Sequence, residues 1–167
     1  FRSGHLLVIG PTGSGKSELI HLALASLDPK VQVALADYKG GAVLTEASPA
    51  LSTSDLETPA AQASFWQGLL DELVRRELLL RAQGFAAWEQ SERQGGDQER
   101  LLVVVDELVA AIRGSVLASE TVIKIATKGR SLGVHLLVTS QSLVGIPREV
   151  LINLRSRLAL SGVDEVE

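Results

Sequence analysis

The residues from Gly10 to Ser17, GPTGSGKS, match the pattern G-x-x-x-x-G-K-[ST] without a mismatch. In this pattern the glycines let backbone N–H groups surround a polyphosphate, the lysine reaches its β- and γ-phosphates, and the serine hydroxyl ligates Mg²⁺. The motif follows an apolar run, His5 to Ile9, that is typical of a buried parallel strand, and a helical pattern follows it. The sequence therefore predicts a nucleoside triphosphate site with Mg²⁺.

The predicted nucleotide-binding residues extend from the first glycine of this P-loop into the next helix. They are Gly10, Pro11, Thr12, Gly13, Ser14, Gly15, Lys16, Ser17 and Glu18. Lys16 is also assigned a catalytic role, and Ser17 is a predicted metal ligand. The alternative is a Gly-Ser-Thr loop that binds nothing, and the strand and helix on either side argue against it.

A second motif, which is acidic, narrows the predicted chemistry to nucleotide hydrolysis. The apolar run Leu101 to Val105 ends in Asp106 and Glu107. An aspartate at the tip of a central strand can hold Mg²⁺ through water, and the adjacent glutamate can polarise a water molecule aimed at the γ-phosphate. The pair indicates ATP hydrolysis by the additional-strand class of P-loop enzymes, whereas the alternative is an acidic strand end that caps the next helix.

Two further residues are candidates for catalysis. Gln141 follows the predicted strand VHLLVT, and its amide could hydrogen-bond both the attacking water and the γ-phosphate. Arg130 could enter the site of a neighbouring subunit and stabilise transition-state charge. It could equally be a surface arginine that closes a helix end, and the residues alone leave both interpretations open.

The turn after the second predicted strand, DYKGG, places Asp37 and Lys39 at a strand end, where open α/β sheets build their sites. Contact with the nucleotide and simple turn chemistry are both open for them. Trp66 and Trp88 have helical neighbours and are interpreted as packing residues. The three histidines have no metal-ligand spacing and are interpreted as core or edge residues.

Composition limits the range of partners. The chain has no cysteine, which excludes disulfides, thiolate zinc sites and cysteine nucleophiles among its 167 residues. Its net charge of −4 argues against a generally basic nucleic-acid surface. Residues 108–162, however, hold seven basic and two acidic side chains, a net +5. This charge could line a channel for an anionic polymer, face a neighbouring subunit, or simply be solvated.

The periodicity predicts five strands and four helices. The strands are 5–9, 31–36, 101–105, 134–139 and 157–160, and the helices are 18–27, 60–83, 119–128 and 147–153. Residues 44–59 and 91–100 are predicted to be loops. The pairs Asp71 with Arg75, Glu72 with Arg76, and Glu77 with Arg81 are spaced for ion pairs on an exposed helix face.

The chain begins at Phe1 and contains no methionine. No run reaches the roughly 18 apolar residues of a membrane span, and no signal peptide pattern is present. We expect a single soluble domain over residues 1–167 that is a fragment of a longer protein.

The ordered set HLLVIGPTGSGKS, DYKGG, LLVVVDE, GRSLGVHLLVTSQ and NLRSRLALSG resembles the motor core of the FtsK/SpoIIIE family over nearly the whole chain. The turn and the GRSLGVHLL segment look most like the EccC/EssC ATPase modules of type VII secretion. The resemblance implies an α/β, RecA-like P-loop fold with a mostly parallel sheet in the order 5-1-4-3-2 flanked by helices, its C-terminal part truncated. It also implies that ATP is the fuel, that subunits form hexameric rings, that Arg130 acts in trans, and that Arg157 lies near the subunit interface.

From this resemblance we expect a motor that translocates a polymer, with duplex DNA as the first choice. The alternatives are a module of a type VII protein secretion machine and a nucleotide-gated scaffold with little turnover. The implied location is a cytoplasmic domain of a membrane-associated bacterial protein, with membrane contact only through other regions. One departure is that Ser142 and Leu143 follow Gln141, where DNA translocases of the family have Arg-Pro.

Overall fold

A six-stranded parallel sheet forms the centre of the molecule. The computed structural model describes residues 4–39, 51–53, 58–96 and 99–161, and for 51–53 it describes only the backbone. The strands are β1 (Leu6–Ile9), β2 (Gln32–Asp37), β3 (Leu51–Thr53), β4 (Leu101–Asp106), β5 (Val134–Ser140) and β6 (Ser156–Ala159). They lie in the order β3-β2-β4-β5-β1-β6, and every pair is parallel.

The five predicted strands occupy the predicted order, which confirms the fold class. The interpretation of residues 44–59 as a loop is wrong for 51–53, which extend the sheet beside β2. A strand of three residues is too short to show alternation, so its pairing with β2 had no detectable pattern in the sequence. The remainder of that predicted loop lies outside the described residues, apart from the end that enters the next helix.

Helices cover both faces of the sheet. They are α1 (Lys16–Ala25), α2 (Pro59–Gln83), α3 (Trp88–Arg93), α4 (Leu108–Gly114), α5 (Val116–Lys128) and α6 (Arg148–Asn153), with a 3-10 turn at Gly129–Leu132. One core cluster joins α2, α4, α5 and α6 to one face, and the other joins α1 to the opposite face. Every residue of β4 and β5 is buried, as expected for interior strands covered on both sides.

The four predicted helices are present: their first residues are shifted by one to three positions, and the last residue differs only in α1, by two positions. The interpretation of 91–100 as a loop is wrong for 91–93, which complete α3. The buried Trp88 anchors this helix, and Trp66 is also buried, so both tryptophans pack in the core as predicted. Among the residues that the structure describes, no helix combines the length and apolarity needed to cross a membrane.

Arg76 on α2 holds three parts of the fold together. Its side chain is 1% exposed, and it donates to Glu72 Oε1 at 2.6 Å, to the Leu132 carbonyl at 3.2 Å and to the Glu99 carbonyl at 3.0 Å. Its guanidinium also lies 4.3 Å from the ring centroid of Trp88. The expectation of an exposed ion pair at Arg76 is therefore wrong. Because the guanidinium replaces its hydration with these contacts, its burial ties α2 to the start of β4 and to the 3-10 turn.

Glu72 also forms an ion pair with Arg75, the residue before Arg76. Arg75 pairs with Glu72 at 2.6 Å rather than with Asp71, which accepts a hydrogen bond from Gln67 instead. The Arg75 side chain is 58% exposed, so water screens this contact.

This contrast gives a matched test of the buried arginine. Arg76→Ala should lower the free energy of unfolding by about 3–5 kcal/mol, because it removes a buried, hydrogen-bonded charge and leaves carbonyl partners unsatisfied. Arg75→Ala should cost at most about 1 kcal/mol. Urea unfolding followed by circular dichroism measures both changes, and equal losses would show that Arg76 is not a structural link.

Candidate active site

The P-loop joins β1 to α1 through backbone that only glycine adopts easily. Gly13 and Gly15 have φ angles of 80° and 86°, in the left-handed region. Gly10 packs so tightly that a Cβ atom there would collide with Ser14 Oγ and the Leu160 carbonyl oxygen. The Gly10 N–H donates to the Ser140 carbonyl at 3.2 Å, which fixes the start of the loop to the end of β5.

Lys16, the first residue of α1, lies inside the loop rather than in solvent. Its side chain is 3% exposed, and Nζ donates to the Gly10 and Pro11 carbonyls at 2.6 Å each. Burial, and next the positive charge of Lys39, lower the pKa of Lys16, while Glu107 and Asp106 act in the opposite direction. The backbone of the loop therefore holds the ammonium through two carbonyl groups.

Asp106 ends β4 and is fully buried. Its Oδ1 accepts a short hydrogen bond from Thr139 Oγ1, whereas Oδ2 has no hydrogen-bond partner among the described residues. A buried carboxylate oxygen without a partner is unfavourable unless a cation or water satisfies it. The donor set, one carboxylate and the hydroxyl of Ser17, also consists of the hard oxygens that Mg²⁺ prefers. The residues present therefore fit Mg²⁺.

Glu107 sits at the junction between β4 and α4 in a strained conformation. Its φ is 67°, the only positive value for a non-glycine residue among those described. Its N–H donates to Thr139 Oγ1 at 2.9 Å, and its Oε2 accepts from Gln141 Nε2 at 3.2 Å. One threonine hydroxyl therefore connects the backbone of Glu107 to the carboxylate of Asp106.

Lys39 brings a second ammonium to the same place. Its Nζ lies 3.8 Å from Asp106 Oδ1 and 3.9 Å from Glu107 Oε2. The Lys39 N–H donates to Asp37 Oδ1 at 2.7 Å, and the N–H of Tyr38 donates to the Asp106 carbonyl at 3.3 Å. The turn that carries Lys39 is thus attached to the end of β4.

Most of the predicted site residues come together. Because β4, β5 and β1 are adjacent and parallel, their carboxyl ends bring Asp106, Glu107, Gln141 and the P-loop to one edge of the sheet. Ser17 lies in the first turn of α1 and is half-buried, while Pro11, Thr12 and Glu18 are exposed.

Arg130 is not part of this group. It is exposed in the 3-10 turn before β5, and a Cβ on Gly4 would lie 3.7 Å from its Cδ. Gly4 precedes β1 and Gly10 follows it, so Arg130 lies at the opposite edge of the sheet, roughly 20 Å from its own P-loop at ~3.3 Å per residue. Arg157 also lies apart from the site, where it donates to the Leu154 and Leu151 carbonyls at the end of α6.

Sequence reasoning gave Thr139 no role and left Lys39 undecided. The signal for Thr139 was a hydroxyl at the end of an otherwise apolar strand, next to the strand that carries Asp106. The signal for Lys39 was its place after a strand end, which does not specify where a long side chain points.

The histidines lie away from the site edge or within the core. Burial and the neighbouring His135 lower the pKa of His5 to about 4, and burial also lowers the pKa of His135. Both are therefore neutral at pH 7. Among the described residues, no cluster of three or more His, Cys, Asp or Glu side chains forms a metal site.

This chain is similar in sequence to proteins of a known family. The profile of the FtsK/SpoIIIE family matches residues 2–165. The ESX secretion system protein EccC of Thermomonospora curvata is 36% identical over 157 residues, covering 83% of this chain and 12% of that protein. The DNA translocase SftA of Bacillus subtilis is 31% identical over 182 residues, covering 98% of this chain and 19% of that protein.

A solved structure of EccC has the same fold as this chain. The cytoplasmic domain of the Thermomonospora curvata type VII secretion ATPase EccC superposes with a TM-score of 0.79 at 32% identity, covering 95% of this chain and 21% of that one. The chain therefore spans less than a quarter of the length of each of these relatives. The family profile matches residues 2–165, and the fold carries the P-loop and the acidic motif at one edge of the sheet. The chain therefore belongs to the FtsK/SpoIIIE family.

Proposed function

We propose that this protein hydrolyses ATP with Mg²⁺ as a module of a polymer-translocating motor. One observation carries the proposal: an intact P-loop lies beside the Asp106–Glu107 pair, and the unpartnered Asp106 Oδ2 is buried at the same sheet edge. A protein that only binds nucleotide has no need of a carboxylate base at the γ-phosphate position.

Lys16 and Ser17 begin the mechanism. The Lys16 ammonium exchanges the Gly10 and Pro11 carbonyls for β- and γ-phosphate oxygens, and the N–H groups of the loop surround the phosphates. Ser17 and Asp106 would hold Mg²⁺, which supplies positive charge to the phosphates when bound.

Glu107 then orients water towards the γ-phosphate and accepts a proton from it. Gln141, which donates to Glu107 Oε2, changes partner when the γ-phosphate leaves and so reports hydrolysis to β5. Thr139 is a positioning residue in this scheme, because its hydroxyl sets the backbone from which Glu107 projects.

The proposed cargo is a polypeptide. The loop that follows Gln141 is exposed and contains no basic residue before Arg148, and its Leu143 and Val144 are 42% and 75% exposed. A loop that follows a phosphate backbone would carry Lys or Arg, whereas apolar side chains suit a polypeptide. The similarity to EccC supports the same choice.

Duplex DNA, the first choice from sequence, remains the second candidate. The similarity to SftA over 98% of this chain favours it, as does the positive charge of residues 108–162. A scaffold that binds ATP with little turnover is less well supported, because both carboxylates of the acidic motif are present.

We further propose that residues 1–167 are one module of a longer, membrane-associated bacterial protein, that the module lies in the cytoplasm, and that subunits assemble into a hexameric ring. Arg130 would complete a neighbour's site in this ring, and the separation of roughly 20 Å from its own P-loop supports this role. Arg157 would lie near the same interface.

The cargo can be tested by ATP turnover of the full-length protein. Peptides with the C-terminal export signals of secreted proteins should raise phosphate release, whereas duplex DNA should not. If duplex DNA raises turnover and the effect weakens with salt, the DNA alternative is correct.

Glu107→Gln should lower every rate of ATP turnover by about 10²–10⁴-fold while ATP still binds. Glu120→Gln, on the exposed side of α5, is the matched control and should retain the wild-type rate.

The role of Arg130 can be tested by mixing variants. Arg130→Ala has an intact site but cannot serve its neighbour, and Glu107→Gln has an inactive site but a normal arginine. Each alone should be nearly inactive. A one-to-one mixture should recover about one quarter of wild-type turnover, because that share of interfaces pairs an intact site with an intact arginine. Absence of recovery in mixed assemblies would show that Arg130 does not act in trans.

Thr139→Val keeps the side-chain volume but removes the hydroxyl shared by Asp106 and Glu107. It should lower the free energy of unfolding by about 1–3 kcal/mol, because the buried Asp106 carboxylate and the part-buried Glu107 N–H lose their partner. It should also lower kcat for ATP with a smaller change in KM, and Thr139→Ser should restore most of both. A wild-type kcat in a destabilised Thr139→Val would limit the threonine to a structural role.

A further inference from the structure

Lys39 is a charged side chain of the active-site edge to which the mechanism above gives no role. Its ammonium faces Asp106 and Glu107 at 3.8 and 3.9 Å, and its charge is felt at Lys16 across the site. Lys16 and Lys39 therefore face Asp106 and Glu107 at this edge, two positive charges and two negative charges. Asp37, which accepts the Lys39 N–H and lies level with Asp106, adds a third negative charge beside the turn.

The geometry separates Lys39 from an ordinary surface lysine. Its backbone is fixed by Asp37, and the preceding residue is bonded to β4, so the stem starts from a defined point. The ammonium is too far from both carboxylates for a direct hydrogen bond, and therefore acts on them as a point charge. It lies beside Asp106, the carboxylate that also fits Mg²⁺.

We propose that Lys39 is a counter-ion that stands in for Mg²⁺ at the Asp106–Glu107 pair and sets the Mg²⁺ concentration at which the site loads. This inference rests on the proposed function, because it concerns the same nucleotide site. Without metal, the ammonium offsets one of the two negative charges of the pair and attracts the incoming triphosphate. When metal binds, the ammonium and the metal repel each other, so Lys39 weakens metal binding.

Two effects of opposite sign follow from removal of this charge. Lys39→Met keeps most of the apolar stem and loses the ammonium. ATP should bind about tenfold more weakly in the absence of Mg²⁺, because one positive charge near the phosphates is gone. Mg²⁺ should bind the ATP-loaded protein about tenfold more tightly, because the like charge is gone. A lysine that only stabilises the fold would not move the two affinities in opposite directions.

The experiment uses the full-length protein and a fluorescent ATP analogue. Nucleotide affinity is measured in EDTA, and Mg²⁺ is then titrated into the nucleotide-loaded protein. Lys39→Arg, which keeps the charge, should stay within about twofold of wild type in both titrations. Lys30→Met is the matched control, because Lys30 is exposed before β2, at the other end of that strand.

The outcomes separate this inference from the proposed function. If the wild-type protein does not bind the analogue, the proposed function itself fails. If it binds and responds to Mg²⁺, but Lys39→Met does not both weaken metal-free binding and tighten Mg²⁺ binding, only the role of Lys39 is overturned. If Lys30→Met gives the same two shifts, the effect is one of general surface charge and the proposal is likewise overturned.

Discussion

The active site depends on one hydroxyl group at the boundary between two interior strands. Thr139 Oγ1 donates to Asp106 and accepts from the N–H of Glu107, so a single atom positions both the buried carboxylate and the strained residue after it. This is possible because β4 and β5 are parallel and adjacent, which places their carboxyl ends at the same height. The positive φ of Glu107 is tolerated because this hydrogen bond and the start of α4 hold it.

The P-loop is held in position by its own lysine. The Lys16 ammonium satisfies the Gly10 and Pro11 carbonyls, and the Gly10 N–H is bonded to the end of β5. A glycine-rich loop without such ties would lose much conformational entropy on binding. The loop is already ordered around the Lys16 ammonium, so phosphate oxygens can replace the two carbonyl groups as partners of this ammonium. The entropy cost of ordering the loop therefore falls on folding rather than on binding.

The residues of the P-loop and the Asp106–Glu107 pair could be predicted from sequence because their spacing is set by local backbone geometry. The order of the five main strands came from the family resemblance. What could not be predicted depends on contacts between distant segments. The pairing of 51–53 with β2 and the burial of Arg76 against Trp88 and the 3-10 turn arise only once the chain has folded. The direction of the Lys39 side chain belongs to the same class, since a strand end fixes where a lysine starts and not where its charge lies.

The two edges of the sheet constrain how subunits could assemble. The P-loop and the Asp106–Glu107 pair lie at the carboxyl edge, whereas Arg130 lies beside Gly4 at the amino edge. An interface in which Arg130 completes a neighbour's site must join unlike surfaces of two copies. Where the two surfaces lie on different faces of the subunit, such a contact is head-to-tail and leads to a closed ring or to an open filament, whereas a two-fold dimer would make it twice through one shared face. The buried Arg76 also matters for such an interface, because it fixes the turn that carries Arg130 to the start of β4. The strand whose far end bears Asp106 is thereby connected, within one subunit, to the group that would act on the next.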